Sequence, residues 1–326
     1  MIAVDWGTSS LRVYRLDAAG QVLDQRSTSI GLLACQGRFE AVLAEQIAGW
    51  NEPLIIMAGM IGSRNGWFEV PYVACPAGPR EIGAGLREVL ADILPGRRIV
   101  IAPGLCDRSG GRAPEVMRGE ETQILGLFDL LALDHGAGPH TICLPGTHSK
   151  WVTVEAGRIT SLRTAMTGEV YAVLRQHSIL RAGMAEPVSP KPDATLGTMP
   201  GTTPDEASTS DDRAAFELGL TSSREPGGLL NHLFSVRSRG LFGELSPTEA
   251  APYLSGLLIG HELHGLLGEV WAGDVHAHDG QAVHLIGNAG LTARYHQALA
   301  WWGVATRSHD EALVTRGLFM LAATLA

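Results

Sequence analysis

The feature that most constrains this chain is a strand-turn-strand pattern that occurs twice. Its first copy is the N-terminus, Ile2-Ala3-Val4-Asp5-Trp6-Gly7-Thr8-Ser9-Ser10-Leu11-Arg12-Val13-Tyr14. An apolar run ends in an Asp, passes a Gly beside small hydroxyl residues and returns with alternating character, which reads as a β-hairpin. Gly7 lets backbone approach a ligand, so the N–H groups of Thr8, Ser9 and Ser10 can converge on an anion while Asp5 holds a water of Mg²⁺. Alone, the pattern also suits an ordinary turn. The second copy is Thr141-Ile142-Cys143-Leu144-Pro145-Gly146-Thr147-His148-Ser149-Lys150-Trp151-Val152. Each copy is followed by a turn (Asp17-Ala18-Ala19-Gly20; Glu155-Ala156-Gly157) and by a third strand, from Gln21 or Arg158. A repeated three-stranded meander predicts two related α/β halves whose hairpin tips clamp a polyphosphate from both sides.

A chain of 326 residues with 45% hydrophobic composition can bury two cores. Its net charge of −9 argues against nucleic acid or an anionic membrane as partner. No apolar run approaches the ~18 residues of a membrane span, and Met1 leads straight into a strand, so a cytoplasmic protein is predicted. Cys35, Cys75, Cys106 and Cys143 are widely spaced and predicted to be buried free thiols.

Residues 38–50 have helical spacing, and 54–58 read as a buried strand. That strand opens into a Gly-rich loop over 59–72, holding Ser63, Arg64, Trp67 and Tyr72, at a strand end where α/β folds place ligand contacts. A surface loop whose aromatics cap the core is the plain alternative. A helix is predicted over 82–94, a strand over 98–103 and a polar connector over 107–112. Glu120 and Glu121 open the next helix, where they either complement its dipole or aim a carboxylate into the cleft. A helix follows Met166, and 186–212 is a Pro/Thr/Ser-rich stretch that cannot pack a core, predicted as a mobile insert. Further helices are predicted over 214–220, 229–237 and 248–270. His261 and His264 sit at i and i+3 rather than the i and i+4 of a zinc helix, and His276 and His278 read as exposed turn residues. After the strand at Val283, Gly287-Asn288-Ala289-Gly290 opens a helix and lets backbone approach a base and ribose. A terminal helix over 310–325, capped by Ser308 or His309, is predicted to pack back on an earlier domain.

The order of these elements resembles the actin-like ATPase fold shared by sugar kinases, hexokinases, acetate kinase and exopolyphosphatases. Within it, nearly the whole chain is similar to the 2-dehydro-3-deoxygalactonokinase family. The similarity rests on Asp5-Trp6-Gly7, Ala58-Gly59-Met60-Ile61-Gly62-Ser63, Pro103-Gly104-Leu105-Cys106, Met117-Arg118-Gly119-Glu120-Glu121-Thr122-Gln123, Pro145-Gly146-Thr147-His148-Ser149-Lys150-Trp151, Met166-Thr167-Gly168-Glu169, Leu254-Ser255-Gly256-Leu257-Leu258-Ile259-Gly260 and Leu291-Thr292-Ala293-Arg294-Tyr295. The 186–212 stretch looks like an insertion, and Gly287 to Gly290 depart from the family's adenosine loop.

The resemblance implies two duplicated ribonuclease H-like domains, over 1–112 and 113–309, with 310–326 returning to the first. It implies transfer of the ATP γ-phosphate to the C6 hydroxyl of 2-dehydro-3-deoxy-D-galactonate, with Mg²⁺ as cofactor. Phosphate contacts then fall to Asp5, Gly7, Thr8, Ser9, Ser10 and Arg12 on one tip and to Gly146, Thr147, His148, Ser149 and Lys150 on the other. Asp5 organises the metal, Gly287, Asn288, Ala289 and Gly290 meet the adenosine, and Ser63, Arg64, Trp67, Arg118 and Glu169 meet the sugar acid. Glu121 is the implied base, with Glu120 as the fallback. A phosphohydrolase of the same fold and a non-catalytic nucleotide sensor are the competing readings, and both monomer and homodimer stay open.

Overall fold

The structure, a computed structural model, describes residues 1–131, 138–186, 210–272 and 282–325. In chain order its elements begin with β1 (Ile2–Trp6), β2 (Leu11–Leu16), β3 (Val22–Thr28), α1 (Leu32–Cys35), α2 (Phe39–Gln46) and β4 (Leu54–Gly59). β5 (Val73–Ala74), α3 (Pro79–Ala84), β6 (Arg87–Val89), β7 (Arg98–Ile101), β8 (Leu105–Asp107), β9 (Glu115–Met117) and α4 (Glu120–Leu131) follow. The second copy of the meander is β10 (His140–Leu144), β11 (Ser149–Glu155) and β12 (Arg158–Ala165). Then come α5 (Thr167–His177), α6 (Ser210–Ser222), α7 (Gly228–Leu241), α8 (Ala250–Ala272), β13 (Val283–Ile286), α9 (Ala289–Trp301), β14 (Thr306–His309) and α10 (Leu313–Ala323).

The duplication read from the sequence is present in the sheets. One has the order β3-β2-β1-β4-β7-β6 and the other β12-β11-β10-β13-β14. In the first, β1 is antiparallel to β2 and parallel to β4, and β4 is parallel to β7. In the second, β10 is antiparallel to β11 and parallel to β13, and β13 is parallel to β14. Five strands therefore correspond in order and direction. A small third sheet, β5-β8-β9, completes the set.

β1 is a near-continuous apolar run because it is buried on both faces. Ile2, Val4 and Trp6 join Val42, Leu43 and Ile47 in one core, whereas Ala3 faces a second core with α4 and α10. That second core is shared: Ile56 and Val100 of the first sheet meet Ile142, Val152 and Ile286 of the other across Ile124, Phe128, Leu318 and Leu321. Burying each such side chain is worth about 1.5–3 kcal/mol, so α4 and α10 act as the filling between the two sheets.

Several expectations change. The helix predicted over 82–94 is the short α3, followed by β6, which pairs antiparallel with β7. Leu86, Leu90 and Leu94 mimic a helical stripe, but Leu90 is 91% exposed, and edge pairing with β7 prevails over the local pattern. The terminal helix starts at Leu313, and its expected caps, Ser308 and His309, belong to β14; the Asp310 side chain instead accepts the Ala312 N–H at 2.6 Å. All four cysteines are free thiols, with Cys35 and Cys143 buried but Cys75 and Cys106 only half-buried. Of the predicted insert, 187–209 lies outside the described residues, as do His276 and His278, and Ser210 onward is helical.

α4 and α10 touch backbone to backbone. A Cβ on Gly126 would lie 2.0 Å from the Leu313 carbonyl oxygen, and one on Gly317 would lie 1.8 Å from that of Thr122. Both distances are far inside van der Waals contact, and neither obstacle is a movable side-chain end. We expect Gly126→Ala to destabilise the fold by about 1–3 kcal/mol or more, as overpacked cores do, measured by urea unfolding against wild type.

Candidate active site

β1 carries Asp5 to the edge of the first tip, where the Gly7 N–H donates to the Ser10 carbonyl at 2.9 Å and closes the turn. The tip is held from outside by the Leu32 and Leu33 N–H groups, which donate to the Gly7 and Thr8 carbonyls at 3.0 and 3.3 Å. Thr8 and Ser9 are exposed at the tip, with the Ser9 backbone backed by Gly31, where a Cβ would lie 2.4 Å from it. Arg12, directly opposite Asp5 in the β1–β2 register, lies 3.6 Å from its carboxylate and 3.0 Å from that of Glu311. Arg12 is thus the clasp between the hairpin and the segment before α10. The Asp5 carboxyl is raised to about 6, chiefly by burial, with Arg12 pulling it down and Glu311 and Glu120 adding repulsion.

The second tip is placed by α5. Glu169 donates its N–H to the Thr147 carbonyl at 3.0 Å, and its side chain pairs with His148. Gly168 is required there, because a Cβ would stand 2.4 Å from the Gly146 oxygen. Gly146, Thr147 and His148 form the accessible tip. Ser149 and Lys150 do not: strand pairing begins at Ser149 and turns both side chains inward. Ser149 Oγ bonds Tyr295 at 2.7 Å, and Lys150 Nζ donates to the Val116 carbonyl at 3.0 Å and the Thr164 hydroxyl at 3.1 Å. Both side chains are thus engaged within the protein rather than presented at the tip. The β13–α9 junction lies beside this tip, since a Cβ on Gly287 would meet the Pro145 oxygen at 3.5 Å. Asn288 caps α9 by accepting the Gly290 N–H at 2.9 Å, with Ala289 as the first helical residue.

α4 begins between the tips. The Glu120 carboxylate accepts the Arg118 N–H at 2.9 Å and is half-buried. Burial raises its pKa, while Lys150 and His148 of the second hairpin hold it down. Since Glu120 also repels Asp5, one carboxylate lies within the field of both hairpins. Glu121 is different. It is 0% exposed, and both its oxygens accept the Gly119 N–H, at 2.9 and 2.7 Å. Burial and the neighbouring Glu120 push it up to about 8.

On the other side of Gly119, the loop after β4 meets Arg118. Gly59 adopts φ +93°, and a Cβ on it would strike the Trp6 oxygen at 2.7 Å, so the chain crosses directly behind Asp5. The Arg118 guanidinium stacks on Tyr72 at 4.4 Å and gives one hydrogen bond, to the Val70 carbonyl at 2.7 Å. Its Nε and Nη1, and the Ser63 Oγ, are buried without a protein partner. Nη1 would lie 2.9 Å from a Cβ on Gly62, next to Ser63. Unmatched buried donors of this kind suit an anion. Arg64 is exposed and Trp67 packs against the first core.

Sequence reading missed Glu262, a buried carboxylate 2.6 Å from both Trp151 Nε1 and Tyr295 OH and also bonded to Thr167. The sequence signal was an acid in the middle of a largely apolar helix, between His261 and His264. Among the described residues no group of three or more His, Cys, Asp or Glu forms a metal cage. The partly exposed Asp5, crowded by Glu120 and Glu311, is the donor set that fits Mg²⁺ held jointly with phosphates.

A carboxyl with a raised folded-state pKa stabilises the fold at low pH and loses that contribution as pH rises through the raised value. Glu121 should therefore make the protein less stable between the ordinary carboxylate range and about pH 8. Urea midpoints at pH 5 and pH 8 should differ in wild type, and the gap should narrow in Glu121→Gln, with Asp5 and Glu120 supplying what remains.

The family model for 2-keto-3-deoxy-galactonokinase matches residues 5–321. Among curated relatives, the probable 2-dehydro-3-deoxygalactonokinase of Rhizobium meliloti (strain 1021) is 38% identical over 94% of this chain and 91% of its own length. The 2-dehydro-3-deoxygalactonokinase of Escherichia coli (strain K12) is 35% identical over 93% of this chain and 90% of its own. A crystal structure from Sinorhizobium meliloti bearing the same kinase name has a TM-score of 0.78 and 33% identity, covering 99% of this chain and 95% of that one. Component A of the (R)-2-hydroxyglutaryl-CoA dehydratase of Acidaminococcus fermentans, at 11% identity and TM-score 0.51, covers 100% of this chain and 99% of its own and shares the fold alone. The architecture is that of the actin-like ATPases and sugar kinases. With duplicated sheets, paired hairpins and this match along almost its full length, the chain belongs to the 2-keto-3-deoxy-galactonokinase family.

Proposed function

We propose that this carbohydrate kinase moves the ATP γ-phosphoryl group to the C6 hydroxyl of 2-dehydro-3-deoxy-D-galactonate, giving the 6-phosphate and ADP. The substrate comes from what the relatives are named for. The observation that carries the chemistry is the position of Glu120, half-exposed and in the field of both hairpins. The acceptor O–P bond forms as the P–O bond to ADP breaks, and the hydroxyl proton passes to the Glu120 carboxylate. A loose transition state needs that proton removed only late, so a carboxylate suffices. Glu121, enclosed by its bonds to Gly119, is the anchor of this turn rather than the base.

Positioning and charge neutralisation carry most of a phosphoryl transfer. The amides of Gly7 to Ser10 and of Gly146 to His148 cradle the phosphates, and Gly287 to Gly290 back the adenosine. Asp5 would hold Mg²⁺, which would supply neutralisation of the phosphate charge. Arg118 and Ser63 take the substrate carboxylate with the donors that the protein leaves unmatched. Work in the cytoplasm fits these substrates; no helix among the described residues is long and apolar enough to cross a membrane.

The test is ADP release with MgATP across 2-keto-3-deoxy sugar acids, ordinary hexoses and no acceptor. Turnover confined to the galactonate-derived acid supports the reading, and equal release without acceptor overturns it. In the same assay Glu120→Gln should lower kcat by ~10²–10⁴, the usual range for a general base, with KM for ATP little changed. A smaller kcat loss in Glu120→Gln than in Glu121→Gln would reverse the two roles. Arg118→Lys should raise KM for the sugar acid by roughly tenfold or more through loss of the planar fork, while KM for ATP stays put.

A further inference from the structure

Glu262, on α8, lies away from the reacting atoms, yet it gathers the elements on which the nucleotide depends. The carboxylate is 7% exposed. Trp151 Nε1, from β11, donates to one oxygen at 2.6 Å. Tyr295 OH, from α9, donates to the other at 2.6 Å, where the hydroxyl of Thr167, the first residue of α5, also donates. Because the single Tyr295 proton is used on Glu262, its oxygen accepts from Ser149 Oγ at 2.7 Å. The directions are thus set: Ser149 to Tyr295, Tyr295 to Glu262, with Trp151 and Thr167 converging on the same acid.

Each donor belongs to an element with a defined place at the second phosphate tip. β11 is the strand returning from the tip, and Ser149 is its first residue. α5 grips the tip through the Glu169 N–H on the Thr147 oxygen at 3.0 Å and through the close approach of Gly168 to Gly146. α9 springs from the Gly287 to Gly290 junction. Only a side chain offering acceptors and no donors satisfies three donors at once in a buried site. An amide in its place would turn one oxygen into an N–H₂ group facing O–H or N–H donors, and a mismatched buried network loosens its members together.

We propose that Glu262 is a positioning residue, setting the second phosphate hairpin relative to the β13–α9 junction so that phosphates and adenosine are engaged at once. This rests on reading those two elements as nucleotide contacts. It assigns no contact between Glu262 and substrate. Glu169, two residues beyond Thr167 on α5, is engaged with His148 of the tip, so the effect falls on ATP more than on the sugar acid, which a plain packing brace would not produce.

The experiment compares Glu262→Gln, Tyr295→Phe and Thr147→Asp by steady-state kinetics with each substrate varied, alongside thermal unfolding. Glu262→Gln should raise KM for MgATP by about tenfold with KM for the sugar acid within about twofold, a misplacement of binding groups rather than a loss of chemistry. Tyr295→Phe removes the link to Ser149 while keeping the ring. It should shift KM for MgATP in the same direction by less, and it decides the matter if Glu262→Gln does not fold. Thr147→Asp sets a negative charge at the exposed tip and tests the underlying reading separately. If Thr147→Asp leaves KM for MgATP unchanged, the tip is not a phosphate element and the reading beneath the proposal falls. If Thr147→Asp weakens MgATP but the other two variants only lower the melting temperature, or move both KM values equally, Glu262 is a brace and the positioning proposal is wrong.

Discussion

The site depends on how closely α4 lies against neighbouring backbone. At its start, a Cβ on Gly119 would be 3.2 Å from Gly59 Cα; further along, Gly126 and Gly317 bring α4 against α10 with no side chain between them. These contacts leave α4 little freedom to slide or turn. They fix where Glu120 projects, and since α4 also fills the core shared by both sheets, they tie the carboxylate to the two meanders together. A side chain at any of these glycines would move the acid away from one hairpin or the other.

Two adjacent carboxylates in one helical turn are given different environments. Glu120 is half-exposed beside Lys150 and His148, while Glu121 is sealed with its oxygens on the Gly119 amide. Lys150 contributes to this division without reaching the tip: its amine, bonded to Val116 and Thr164, lowers the pKa of Glu120 from within the sheet. Arg118 has a comparable split role. One nitrogen is used up on the Val70 carbonyl and the face on Tyr72, so the remaining donors are held rigid and unfilled. Preorganised donors of this kind bind an anion without first having to be ordered.

The parts legible in the sequence were those written locally. Each hairpin is specified by contiguous residues, and the repeat of the meander was enough to anticipate two related halves, though not the matching order of the further strands. Glu120 and Glu121 were recognisable as a pair, but their unequal roles were not, because burial of Glu121 depends on Gly119 meeting Gly59 from far earlier in the chain. Lys150 looked like a phosphate ligand for a similar reason: its amine is spent on Val116 of β9 and Thr164 of β12, partners that the local motif does not show. Residues 82–94 were misread because leucines every fourth position imitate a helix, and only pairing of β6 with β7 reveals the strand. Glu262 was invisible since its donors come from β11, α5 and α9, none adjacent to it in sequence.

The Arg12 clasp has a consequence for the order in which the enzyme comes into being. Asp5 and its hairpin leave the ribosome well ahead of Glu311. Glu311, which shares Arg12 with Asp5, and α10, which completes the core under β1, follow only after the strands of both sheets. During synthesis the first meander therefore waits with its carboxylate unclasped and its apolar underside uncovered. A polypeptide cut short before Glu311 would therefore hold nearly every residue of the site and still lack the enclosure that makes it one.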